Sequence, residues 1–104
     1  MSRRLEFLLK ITSSNDAEPF ARYGLAMEYR TLGRHEEALA AFTELRTRAP
    51  DYVPMYLMCG QMLESMGRLA EAREWLTHGI GVAGNRRDEH AASELQTALA
   101  ALER

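Results

Sequence analysis

Cysteine is nearly absent. Cys59 stands alone among 104 residues, so no internal disulfide can form and a reducing compartment is the simpler expectation. An excess of one charge is missing too. The 13 Lys and Arg residues face 15 Asp and Glu, a net charge of −2, which gives no basic face for a nucleic-acid backbone. The pair Arg86-Arg87 is too short to change that. Lysine occurs once, at Lys10, against frequent Arg and Ala, the bias of a GC-rich bacterial genome. Long apolar runs are lacking as well, and nothing nears the roughly 20 residues of a membrane-spanning helix. The stretch from Met1 to Lys10 begins like a signal peptide, but Glu6 and Lys10 interrupt it and no small-residue cleavage site follows. A cytoplasmic protein without a membrane partner is expected. What is present is a globular balance, 46% hydrophobic and 27% charged, in one domain's length.

The strongest internal signal is a gapless repeat at a shift of 34 residues. Gly33-Arg34-His35-Glu36-Glu37-Ala38 lies over Gly67-Arg68-Leu69-Ala70-Glu71-Ala72. Leu25-Ala26 lies over Cys59-Gly60, Tyr29 over Leu63, Leu32 over Met66, Phe42 over Leu76, and Pro50 over Gly84. Apolar positions recur at helical spacing, as in Ala38, Phe42, Leu45 and Ala49, or Ala72, Leu76, Gly79, Ile80 and Ala83. Each unit therefore reads as helix, tight turn, helix. Gly33 and Gly67 fall where a helix ends, a place for the left-handed conformation that glycine takes freely. Small residues at Ala26, Ala38, Gly60 and Ala72 permit close helix contacts.

Tyr56-x-x-Cys59-Gly60-x-x-Leu63 with Ala72-x-x-x-Leu76, and Arg22-x-x-Leu25-Ala26-x-x-Tyr29 with Ala38-x-x-x-Phe42 and Pro50, carry a family likeness. Over residues 19–85 the chain resembles the tetratricopeptide-repeat (TPR) family. Arg22 departs from it, standing where a large aromatic is preferred, and Gly84 replaces the terminal proline. The resemblance implies an all-α helical solenoid of about six helices. The expected units are an N-terminal half-repeat at 1–18, repeats at 19–52 and 53–86, and a capping helix at 87–104. Leu5, Leu8, Leu9 and Ile11 supply the apolar face of the first segment, and Ser14-Asn15-Asp16 offers a stop and an N-cap before Pro19. Ala91, Leu95, Ala98, Leu99 and Leu102 form the stripe of the last helix.

In that family the first helices of successive repeats line a concave groove. By position this implies one stripe of Phe20, Tyr23, Met27 and Arg30 and another of Pro54, Leu57, Gln61 and Glu64, each spaced for one helix face. Met58 adds a usually exposed position. The expected function is non-catalytic: the groove holds a peptide or helix of an unidentified partner protein. Packing of Phe20 and Tyr23 on the N-terminal half-repeat is an equal reading for those two. Tyr23, Met27 and Met58 occupy places where some relatives carry the Lys and Asn of a carboxylate clamp, so apolar contacts are expected to dominate. The alternative is self-association as a homodimer; Trp75, on a helix expected to face partly outward, reads first as a packing residue and second as an anchor for a partner or a second copy.

Sharper motifs lack their context. Gly79-Ile80-Gly81-Val82-Ala83-Gly84 spells a dinucleotide fingerprint, but that chemistry needs a strand before it and a helix opening after it. Here it closes a helix, with the later glycines expected to unravel it. Met55, Met58, Met62 and Met66 with Cys59 bring soft sulfur, yet without Cys or His at ligand spacing. His35, His78 and His90 form no catalytic set. No cofactor and no metal is expected.

Overall fold

The computed structural model describes residues 2–104. Six helices follow one another: α1 Arg3–Ile11, α2 Pro19–Thr31, α3 His35–Arg48, α4 Pro54–Ser65, α5 Leu69–Asn85 and α6 Glu89–Leu102. No strand occurs among the described residues. The chain divides into two compact units, one ending at Ala49 and the other beginning at Pro50.

The first unit holds α1 to α3. Ser2 caps α1, its hydroxyl oxygen accepting from the Leu5 amide at 3.1 Å and donating to Glu28 at 3.0 Å. Arg4 joins Glu28 at 3.2 Å, so the short first helix is tied to α2 by polar as well as apolar contacts. Leu5, Leu8, Ala26, Ala38, Phe42 and Leu45 are buried, on the helical spacing read from the sequence. The Ser14–Asp16 stretch turns the chain but does not cap α2. Ser14 spends its hydroxyl on the Asp16 amide, and the N-cap is Glu18, with no side-chain bond. Pro19 explains the difference. It occupies the first helical turn, where its missing N–H costs nothing, and so fixes the helix start downstream of the expected cap.

Arg22, the departure from the family's aromatic, is buried and donates from its guanidinium to the Ser14 carbonyl at 2.8 Å. The charge is thus hydrogen-bonded where an uncompensated one would be costly.

The second unit holds α4 to α6. Its core is Val53, Met55, Tyr56, Cys59, Met62 and Leu63 against Ala72, Trp75, Leu76, Ala83 and Leu95. Met55 and Met62 are core side chains, and Met66 is half-buried. Two glycines set the spacing. A Cβ on Gly60 would meet Leu76 Cδ2 at 2.5 Å, and one on Gly79 would meet Tyr56 Cβ at 2.5 Å. Trp75 is buried with its ring 5.8 Å from that of Tyr56, in the packing role read first for it. His78 is exposed yet stacks on Tyr56, 5.3 Å between centroids.

The same turn closes α2 and α4. Gly33 and Gly67 take φ of 76° and 77°, and the amides of Arg34 and Arg68 reach back to the Tyr29 and Leu63 carbonyls at 2.9 Å each. This is the bond that satisfies a helix's orphan carbonyl. Arg34 then forks onto Glu37 and Arg68 onto Glu71. The Arg34 guanidinium holds the Glu37 carboxyl below its ordinary value, and Arg48 does so for Glu44.

The glycine run behaves otherwise than expected. Instead of unravelling, α5 continues through Gly79, Gly81 and Gly84 to Asn85. The packing of Gly79 against Tyr56 and Leu95 holds that stretch helical, and the turn comes later, where Arg87 takes a φ of 57°.

Candidate functional site

α4 spends most of its surface on the core. Met55, Tyr56, Cys59, Met62 and Leu63 point inward, which leaves Leu57, Gln61 and Glu64 on another face at spacings of four and three. α6 is capped by Asp88, whose carboxylate accepts from the Ala91 amide at 3.0 Å, and turns Leu95 inward. Its remaining side toward α4 carries His90, Ser93, Glu94, Thr97, Ala98 and Ala101. Together these residues line a cleft of about 440 Å³. That lies within the range of small binding clefts.

The lining is mixed. Leu57, Ala98 and Ala101 are apolar, Gln61, Ser93 and Thr97 offer hydrogen bonds, and Glu64 and Glu94 are acidic. His90 Nε2 lies 3.4 Å from Glu94 Oε1, a pair that is ionic only when the imidazole is protonated. No Lys or Arg lines the cleft. Side chains of this kind can grip a peptide by apolar contact and hydrogen bonding.

The structure brings Leu57, Gln61 and Glu64 together as the sequence implied. Met58 lies half-buried on α4 and is not among the cleft residues, and Pro54 is exposed at the helix start. On the first unit the other stripe is uneven. Phe20 is 74% exposed, so it does not pack on the N-terminal half-repeat. Tyr23 packs edge-on against Phe42 of α3, 6.5 Å between centroids. Met27 and Arg30 are half-buried on the same helix.

The contribution of α6 went unread. The last helix looked like a cap, and the 34-residue phase does not carry the lining onto it. α5 has 17 residues where α3 has 14, but the loop after it is shorter, so Pro19, Pro54 and Glu89 open α2, α4 and α6 at equal spacing. The helical stripe of small and hydroxyl residues Ser93, Thr97 and Ala101 was the available signal.

Among the described residues no group of three His, Cys, Asp or Glu side chains could hold a metal ion, and no helix is long and apolar enough to cross a membrane. The glycine run lies inside the second half of α5, so it presents no helix N-terminus to a pyrophosphate.

A family model described as tetratricopeptide repeat matches residues 29–102. The crystal structure of a tetratricopeptide repeat domain protein from Salinibacter ruber is similar, with a TM-score of 0.77 and 37% identity over 83% of this chain and 96% of that one. A solution NMR structure of such a protein from the same organism gives 0.80 and 36% identity, over 86% of this chain and 91% of that chain. A protein of Bordetella parapertussis, known in solution, gives 0.84 and 25% identity over 100% of this chain and 90% of that one. No curated protein matches the chain.

Proposed function

The chain belongs to the tetratricopeptide-repeat family, and from that premise we propose that it holds a segment of another protein in the cleft between α4 and α6. The family is in general a non-catalytic fold for protein–protein interaction, and we read this chain in the same way. The observation that carries the reading is the cleft itself: Leu57, Gln61 and Glu64, left over from core packing, face a second helix across about 440 Å³. A peptide entering there would bury apolar atoms on Leu57, Ala98 and Ala101 while Gln61, Ser93 and Thr97 fix its register. The lone, buried Cys59 suits a cytoplasmic setting.

Blocking the cleft tests this. Gln61 and Ala101 are exposed, so Gln61→Trp/Ala101→Trp fills the space without touching the core. Affinity capture with mass spectrometry should show a protein retained by wild type and lost with this variant. The control, Ala70→Trp on the exposed start of α5, should retain it. A partner that binds the blocked variant as well as wild type removes the cleft from consideration.

Self-association remains a second reading, with a different surface behind it. Trp75 is packed away, but Arg3, Phe7 and Lys10 share the outer face of α1, and Phe7 is 61% exposed. Sedimentation of wild type against Phe7→Glu decides whether that face joins two copies.

A further inference from the structure

Resting on the cleft assignment above, we propose that its occupant is a cationic segment of the partner, one that sets Lys or Arg between Glu64 and Glu94 and an apolar side chain on Leu57. Two carboxylates share this cleft, and neither has the Arg partner that several acids of the chain hold. Glu37, Glu44, Glu71, Glu103 and Asp51 each hold an Arg at close range. Glu64 makes no ion pair among the described residues, and Glu94 meets only the imidazole of His90. Both line the same cleft, and no cation of this chain lines it with them. The site is thus a recess that joins apolar side chains to two carboxylates with no Lys or Arg beside them.

A Lys or Arg fits both parts. Its methylene stem runs along Leu57, Ala98 and Ala101 while its head reaches a carboxylate. A cation between two acids is attracted by each, and the recess excludes part of the water that would screen them. The same charges repel acidic peptides and phosphates, so the rim selects as well as attracts.

Panning a random peptide library on three proteins separates this inference from the cleft assignment. The proteins are wild type, the charge-removing Glu64→Gln/Glu94→Gln, and the neutral block Gln61→Trp/Ala101→Trp. Peptides enriched on wild type should be rich in Lys and Arg. The best of them should bind the Gln pair about three- to tenfold more weakly, the scale of two partly exposed ion pairs, should lose affinity as salt is raised, and should not bind the block. Neutral or acidic peptides that the block abolishes and the Gln pair spares would overturn the cationic assignment and leave the cleft standing. Peptides that bind the block as well as wild type, or no enrichment at all, overturn both.

Discussion

A Cβ placed on Gly79 would lie 2.5 Å from Tyr56 Cβ and 3.2 Å from a Leu95 methyl, whereas one on Gly81, two residues along the same helix, meets nothing within 4 Å. The first glycine is a packing device, because Tyr56 Cβ is fixed to its own backbone and cannot swing aside. Gly79→Ala must push α4 and α5 apart, and it should cost about 2–3 kcal/mol, the upper part of the overpacking range. Gly81→Ala touches no neighbour and removes a poor helix former from a helix interior, so it should gain about 0.5–1 kcal/mol. Urea unfolding of the two variants checks both signs. Equal effects would mean that the close approach at Gly79 is not what holds the helices together. The contrast also resolves the apparent dinucleotide fingerprint into one residue needed for packing and others that a helix merely tolerates. The pattern of letters could not tell these apart, because the difference lies in what stands opposite each glycine.

The helices end by one device used three times. Gly33, Gly67 and Arg87 all take positive φ, and the amide after each reaches back five residues, Asp88 to the Ala83 carbonyl at 2.9 Å in the third case. The first two were legible because they recur 34 residues apart as glycine. The third was hidden, because an Arg fills a place that glycine fills elsewhere, and α5 runs three residues beyond the length of α3. Leu57, Gln61 and Glu64 line one cleft, and its α6 side was not legible because the last helix reads as a cap and not as the first helix of a further repeat. Of the two readings open for Phe20, its exposure removes packing on the N-terminal half-repeat: spacing assigns a face to a residue but cannot say whether anything covers it. Left-handed backbone costs a non-glycine residue about 1–2 kcal/mol, and glycine returns part of that gain as unfolded-chain entropy. Arg87→Gly should therefore stabilise the protein by about 0.5–1 kcal/mol, read as a rise in thermal midpoint of a few degrees. A fall would show that Arg87 makes contacts worth more than its backbone strain.

Across the chain, burial is unevenly shared among the helices, and repeat proteins open where a helix has few neighbours. α4 buries Met55, Tyr56, Cys59, Gly60, Met62 and Leu63, while α6 buries Leu95 alone. The helix that completes the proposed binding cleft is thus the one held by the fewest core side chains. Native-state hydrogen exchange should find α6 amides opening at lower free energy than those of α4 and α5, with a weak dependence on urea, because little surface is exposed when one edge helix frays. A peptide seated against His90, Glu94 and Thr97 binds only the closed form and must raise that opening free energy. Mass action gives about 2.7 kcal/mol at a hundredfold excess over its dissociation constant. The gain should concentrate in α6 and fall to a smaller value in the amides of α1, whose Leu5 and Leu8 anchor belongs to the other unit and does not meet the peptide. If α6 and α1 are protected equally, the peptide is stabilising the chain from a surface other than the cleft. If α6 alone responds, the weakest-held helix is also the one that closes on the partner.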